Sequence, residues 1–163
     1  MTKKKICIVG REGTTGLRID ERLSQRDDIE VLPIPEDKRK DLATIKEVAS
    51  QADLVFLCLP DQAANDVVEV LKDLSCKVID ASTAHRTNSD WAYGFPELGP
   101  AYREHIAQSR FIANPGCHAS GAIAILAPLI NKGLVPADYP LTVLSLTGYS
   151  GGGKKMIAQY QAM

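Results

Sequence analysis

No apolar run reaches the ~18 residues that a bilayer-spanning helix needs, so the sequence gives no reason to expect a membrane span. The N-terminus, Met1-Thr2-Lys3-Lys4-Lys5, leads into only a short apolar run, Ile6 to Val9, before Gly10. That is too short for a signal-peptide core, and the expected location is cytoplasmic. The four cysteines include no C-x-x-C pair, which argues against a metal site or a disulfide framework. Charge of one sign is also lacking: 19 basic side chains face 20 acidic ones, for a net charge of -1. Such balance gives no general attraction to nucleic acid or to an anionic membrane. Internal repeats and low-complexity segments are absent, so the chain is no solenoid or linker array.

What remains is a globular composition, 45% hydrophobic and 24% charged over 163 residues. At about 150 residues per domain that suits one compact unit. Apolar runs alternate with amphipathic stretches. Ile6 to Val9, Ile29 to Ile34, Leu54 to Leu59 and Lys77 to Asp80 read as strands, with a further short one from Arg110 to Ala113. Between them, helical spacing begins near Thr14, runs from Leu42 to Ala52, and is clearest at Ala64, Val67, Val68, Leu71 and Leu74, where Asp61 is the expected N-cap. Polar residues, glycines and prolines from Ser82 to Pro100 suggest a long functional loop, with a short helix after it from Ala101 to Ala107. Ala119 to Ile130 is apolar almost all round and predicts a buried helix. Leu141 to Tyr149 alternates as a strand would, and Gly151-Gly152-Gly153 opens a flexible segment. Strand and helix alternation predicts an α/β fold, a doubly wound parallel sheet of the Rossmann-like, nucleotide-binding kind.

Gly10-Arg11-Glu12-Gly13-Thr14-Thr15-Gly16 joins the first strand to the first helix. A tight turn there brings backbone close to a pyrophosphate, and free N–H groups at the helix start face the anion. The spacing is G-x-x-G-x-x-G rather than the commoner G-x-G-x-x-G, and a glycine-rich turn without ligand remains the alternative. Glu12 is awkward beside a phosphate unless it points to solvent. After the second strand, Glu36 and Asp37 are available for a ribose. Lys38-Arg39-Lys40 follows at once and suits the 2′-phosphate of NADP, or is a solvated surface run. The candidate cofactor residues are therefore Gly10, Gly13, Thr14, Thr15, Gly16, Lys38 and Arg39, with Pro60 where the third strand stops.

Cys7, Cys58 and Cys76 sit in or beside apolar runs and read as buried small hydrophobes. Cys117 differs. In Asn114-Pro115-Gly116-Cys117-His118 it falls at the start of a helix, where the dipole and free N–H groups favour a thiolate and could hold an oxyanion. Two accounts fit: a nucleophile, or an inert cysteine at a helix cap. His118, about 100° round the helix, is a poor partner base for Cys117, and His85 and His105 read as loop or surface residues.

Taken together, the Gly10–Gly13–Gly16 loop, Asp80-Ala81-Ser82-Thr83-Ala84-His85-Arg86, Tyr93-Gly94-Phe95-Pro96-Glu97-Leu98, Asn114-Pro115-Gly116-Cys117 and Thr147-Gly148-Tyr149-Ser150-Gly151-Gly152-Gly153-Lys154 resemble the N-acetyl-gamma-glutamyl-phosphate reductase family, in its shorter-chain branch. The resemblance implies NADPH-dependent reduction of an acyl phosphate to a semialdehyde in arginine biosynthesis, through a thioester on Cys117. It implies that Ser82, Arg86, Asn114 and Lys154 handle substrate or phosphate. It also implies an NADP-binding domain over 1–116 and, from 117 to 163, the cysteine helix and the start of an α+β substrate domain. The family's catalytic histidine lies further along than this sequence runs, and His118 stands where the family often has tyrosine. The expectation is weak or no reductase activity for these 163 residues alone, and a homo-oligomer for the full-length enzyme. An aspartate-semialdehyde dehydrogenase-like enzyme uses a similar cysteine turn, although Tyr93 to Leu98 argues against it. A non-catalytic NADP-binding module, or one piece of a split protein, would fit the same fold.

Overall fold

The computed structural model describes residues 2–163, without the side chains of Tyr149, Ser150, Lys154 and Lys155. The chain opens with β1 (Lys4–Val9), α1 (Thr14–Leu23), β2 (Ile29–Leu32), α2 (Leu42–Ala49), β3 (Leu54–Leu57), α3 (Asp61–Leu71) and β4 (Lys77–Asp80). It continues through the two-residue β5 (Ala92–Tyr93), α4 (Pro100–Gln108), β6 (Phe111–Ala113), α5 (Cys117–Asn131) and α6 (Gly153–Gln161). Short 3-10 turns lie at Glu36–Lys38, Pro96–Leu98 and Tyr149–Gly152.

The six strands form one sheet in the order β2-β1-β3-β4-β6-β5. Every pairing is parallel, with Ile6 beside both Val31 and Leu54, and Val78 beside both Val55 and Phe111. A parallel sheet puts the C-terminal ends of all its strands at one edge, where ligands bind in doubly wound folds. The order reverses between β1 and β3, so the crevice for a dinucleotide opens there. The Asp53 carboxylate closes the opposite edge by accepting the Lys5 backbone N–H at 2.8 Å.

The core follows from the apolar runs. Cys7, Val9, Val55, Leu57 and Val78 of the strands meet Ile45 and Ala49 of α2 and Val67, Val68 and Leu71 of α3. Burying each large aliphatic side chain contributes about 2 kcal/mol, which is why these short strands hold. The periodicity in α3 put its buried stripe in the right place. Its start is different from expectation: Pro60 occupies the N-cap position, and the Asp61 carboxylate accepts instead from the Thr83 N–H at 2.8 Å and from the Thr83 hydroxyl. Arg110 closes the far end of α3 by donating to the carbonyls of Lys72 and Leu71, where a cation suits the helix dipole.

Four expectations change. The loop from Ser82 to Pro100 contains a strand, because Ala92 and Tyr93 pair with Ile112 and Ala113 at the sheet edge. The segment from Leu141 to Tyr149 forms no strand; its alternating pattern needs a second ladder, and none is present among the described residues. The helix predicted as buried exists as α5, yet none of its residues is buried, and Ile125 is 66% exposed. Its all-round apolarity therefore marks a face without cover rather than a core position. The glycine segment expected to be flexible ends as a 3-10 turn followed by α6.

Candidate active site

Five connections at the C-terminal edge of the sheet, after β1, β2, β3, β4 and β6, carry the residues that the sequence singled out, Lys154 apart. Gly10 ends β1 with φ +85°, a conformation that side chains rarely tolerate. A Cβ there would stand 2.3 Å from the Cys58 carbonyl, so the β1 and β3 connections touch at the reversal of strand order. The Gly13 N–H donates to the Gly10 carbonyl at 3.1 Å, and Gly13 is the N-cap of α1 without any side-chain cap. A Cβ on Gly16 would lie 2.3 Å from the Gly10 carbonyl, which seats α1 tightly against the turn. Thr14 and Thr15 are exposed in the first turn of that helix. The cradle is small, uncapped and open, as a pyrophosphate requires.

The charges of the loop are paired, and both Arg11 and Glu12 line the cleft over the ends of β1 and β2 beside Gly10. Arg11 donates to Asp20 of α1 at 2.6 Å. Glu12 lies 3.8 Å from Arg39, whose guanidinium is also 4.0 Å from Glu36. Arg39 thus lines a narrow cleft over the ends of β1 and β2, together with Gly10, Val31 and Ile34. Lys38 ends the 3-10 turn beside it and is exposed, and Pro60 is exposed where α3 begins.

At β4 the chain curls over Asp80. That buried carboxylate accepts the Ser82 N–H at 2.9 Å, the Ser82 hydroxyl at 2.6 Å, and His85 Nδ1–H at 2.7 Å. Imidazole and indole stack, with the ring centres of His85 and Trp91 4.0 Å apart. His85 is therefore no surface residue, and the Ser82 hydroxyl is turned inward. In the sequence Asp80 stood out only as a strand end and the first residue of a motif, with no role of its own, and Trp91 not at all. A usable signal was there: aspartate two residues before a serine at a strand end is an Asx-turn pattern.

Arg86 follows at once. Its Nε donates to the Asn114 carbonyl at 3.0 Å and its Nη2 to the Ala81 carbonyl at 3.0 Å. The Asn114 N–H in turn donates to the Asp80 carbonyl at 2.8 Å, and its side-chain amide to the Pro115 carbonyl at 3.2 Å. A Cβ on Gly116 would lie 2.7 Å from Arg86 Nη1, so the guanidinium lies against the turn through the space that glycine leaves. Gly116 is the N-cap of α5, again without a side-chain cap, and Cys117 is exposed at the first position of the helix.

The four thiols divide sharply. Burial pushes Cys7 up to about 12, with Cys76 adding to the effect. Burial and then Asp80 push Cys58 to about 11, and burial raises Cys76. Those three resist ionisation; Cys117 is open to a reagent. His118 makes its contact with the Ser145 hydroxyl rather than with Cys117, and His105 is exposed on α4. Lys154 lies outside the described side chains, and only its backbone in α6 is placed. The Tyr93–Leu98 stretch does structural work: the Gly94 N–H donates to the Ala113 carbonyl at 2.9 Å, and Phe95 and Leu98 face Ile123 and Ala127 of α5.

An uncapped glycine turn at the switch point and an exposed helix-head cysteine on the same edge define a dinucleotide-binding domain joined to a thiol site. Residues 5–109 match the family described as semialdehyde dehydrogenase, NAD binding domain, and residues 117–163 match semialdehyde dehydrogenase, dimerisation domain. The chain belongs to the semialdehyde dehydrogenase family. It is 51% identical over 160 residues to the N-acetyl-gamma-glutamyl-phosphate reductase of Brucella anthropi, covering 98% of this chain and 51% of that protein. The Brucella ovis protein of the same name is 51% identical over 98% of this chain and 52% of its own length. The chain thus spans about half the length of the curated relatives it matches. Aspartate semialdehyde dehydrogenase from Francisella tularensis shares the fold with a TM-score of 0.72 at 15% identity, over 97% of this chain and 48% of that one. The Candida albicans aspartate semialdehyde dehydrogenase solved with NADP gives 0.56 at 17% identity, over 79% of this chain and 47% of that one. Among the described residues, no helix is long and apolar enough to cross a membrane.

Proposed function

We propose that this chain is the nucleotide-binding and nucleophile-bearing part of an NADPH-dependent N-acetyl-gamma-glutamyl-phosphate reductase, working in arginine biosynthesis. The observation that carries the reading is the exposed Cys117 at the uncapped head of α5, on the same sheet edge as the Gly10 turn. The names of the 51% identical relatives support the substrate. The Cys117 thiolate attacks the acyl carbon of the acyl phosphate; a C–S bond forms, the C–O bond to phosphorus breaks, and inorganic phosphate departs. The N–H groups at the head of α5 stabilise the oxyanion as it develops. Gly10, Gly13, Thr14, Thr15 and Gly16 would hold the pyrophosphate of the dinucleotide, while Lys38 and Arg39 receive the 2′-phosphate and Pro60 borders the nicotinamide side. When bound, that cofactor would supply the hydride for the thioester carbonyl, with the Cys117 thiolate as the group released from the aldehyde. Ser82 and Arg86 shape the phosphate end of the site, Asn114 fixes the turn, and Lys154 adds positive charge. The match of residues 117–163 to a dimerisation domain supports a homo-oligomer of the whole enzyme. A cytoplasmic location suits a biosynthetic role.

The test uses the half-reaction, which needs only the thiol. Freshly prepared N-acetyl-gamma-glutamyl phosphate is mixed with the chain, and the intact mass is followed. An acyl adduct should form on Cys117 with release of phosphate and vanish with hydroxylamine. Cys117→Ser should form none while binding NADPH as before. No adduct, or an adduct that survives in Cys117→Ser, removes the nucleophile assignment. Faster adduct formation with aspartyl phosphate would move the substrate to the aspartate-semialdehyde class.

A further inference from the structure

We infer that the buried Asp80–His85 hydrogen bond positions Arg86 against the Gly116–Cys117 turn and thereby sets the reactivity of Cys117. The inference rests on Cys117 being the reacting thiol of the proposed reductase, and it assigns His85 a positioning role rather than a catalytic one.

The argument runs along a short covalent and hydrogen-bonded path. Asp80 is fully buried, and its carboxylate gathers three donors from Ser82 and His85. Ionised, it stays buried at acceptable cost only while those donors are in place. His85 is held on its other side by the Trp91 ring, itself tilted against Phe111 with ring centres 5.0 Å apart, so the imidazole has one orientation. Arg86 is the next residue in the chain. Its backbone direction is therefore set by how His85 is locked, and its side chain reaches the Asn114 carbonyl across the gap between β4 and β6. The guanidinium lies on Gly116, one residue before Cys117, and Gly116 has no Cβ to keep it off. A cation fixed beside a helix head favours the thiolate. The same cation spread over many rotamers does so less, because its mean distance grows. Asp80 also anchors the turn from below, through its own carbonyl and the Asn114 N–H. One residue, Asp80, thus holds both sides of the guanidinium clamp, its carboxylate on the His85 side and its backbone carbonyl on the Asn114 side.

The experiment measures the rate of Cys117 alkylation by iodoacetamide at pH 8 in the folded chain, in a double-mutant cycle. Cys117→Ser locates the fast thiol, and the buried Cys7 and Cys76 report any unfolding. His85→Phe keeps a ring on Trp91 and removes the donor to Asp80. Arg86→Met removes the cation at similar length. Each should slow alkylation about fivefold. The double variant should be no slower than Arg86→Met alone, since His85 acts through Arg86. Loss of general stability would not produce that non-additivity. An unchanged rate in His85→Phe, or single effects that multiply in the double variant, would overturn the inference. If His85→Phe exposes the buried thiols, His85→Leu takes its place in the cycle, again removing the donor to Asp80, with the same direction and the same two overturning results. A parent Cys117 no faster than a cysteine in a short peptide would instead count against the nucleophile itself, so the two readings fail separately.

Discussion

Residues 2–116 and 117–163 obey different physics. The first stretch closes a core around Cys7, Val9, Ile45, Val55, Leu57, Leu71 and Val78, each at most 2% exposed. The second contains no buried residue among those described, although α5 is among the most apolar segments of the chain. Val143, Leu144 and Leu146 run beside α5 with 61%, 89% and 89% of their surface exposed. An apolar helix with an uncovered face belongs to an interface or to a larger core. The Gly10 turn lies wholly within the first stretch, whereas the exposed Cys117 stands where the two regimes meet.

The largest effect that would break this contrast is a matched pair of truncations. Leu57→Ala empties a fully buried position between β1 and β4 and should lower the unfolding free energy by about 3 kcal/mol. Ile125→Ala on α5 should change it by no more than about 0.5 kcal/mol in the 163-residue chain. Urea unfolding of both variants checks the pair. Comparable losses would mean that residues 117–163 share the core cooperatively.

Next in size is the glycine turn. Gly10→Ala forces a side chain into positive φ and against the Cys58 carbonyl. The expected cost is about 2 kcal/mol in stability. Spreading β1 from β3 should also weaken binding of NADPH more than tenfold, read by titration calorimetry. Gly13→Val is a cleaner test of the cradle: Gly13 has no positive φ, and its nearest non-adjacent atom, the Gly10 carbonyl, would stand 3.3 Å from a Cβ. Affinity should fall there with little change in stability. Unchanged affinity in Gly13→Val would remove the loop from the cofactor site.

The same division explains what was legible in the sequence. Elements that bury their own apolar stripe, such as β1, β3 and α3, declare themselves through local periodicity. The glycine turn and the cysteine turn were readable because each needs small residues beside a helix head. Leu141 to Tyr149 misled because an alternating pattern says only that a strand could form; the partner is a property of another segment. Helix α5 misled for the same reason, since burial depends on what covers it. The Asp80–His85–Trp91 cluster stayed hidden because its members are joined through space, and a histidine in a polar loop carries no sign of its depth. The end of α3 shows the reverse case, where Arg110 reaches the Leu71 and Lys72 carbonyls from a strand 38 or more residues away.

The smallest effect probes the closed core of the sheet region by pH. Cys7 is fully buried in β1, and burial holds its thiol up at about 12, while in the unfolded chain a cysteine ionises near 8.5. Below the unfolded value the thiol is protonated in both states and the group favours neither. Between the two values the unfolded state releases a proton that the folded state keeps. Stability contributed by this group is therefore complete below about pH 8.5 and is lost as pH rises toward 12, at a limiting slope of about 1.4 kcal/mol per pH unit. From pH 8 to pH 9.5 the parent should lose about 1 kcal/mol more than Cys7→Ala does. Urea midpoints for the parent and Cys7→Ala at the two pH values decide the matter. If Cys7→Ala and the parent fall in parallel, the β1 thiol is not excluded from solvent and the closed core of the sheet region is wrong at its centre.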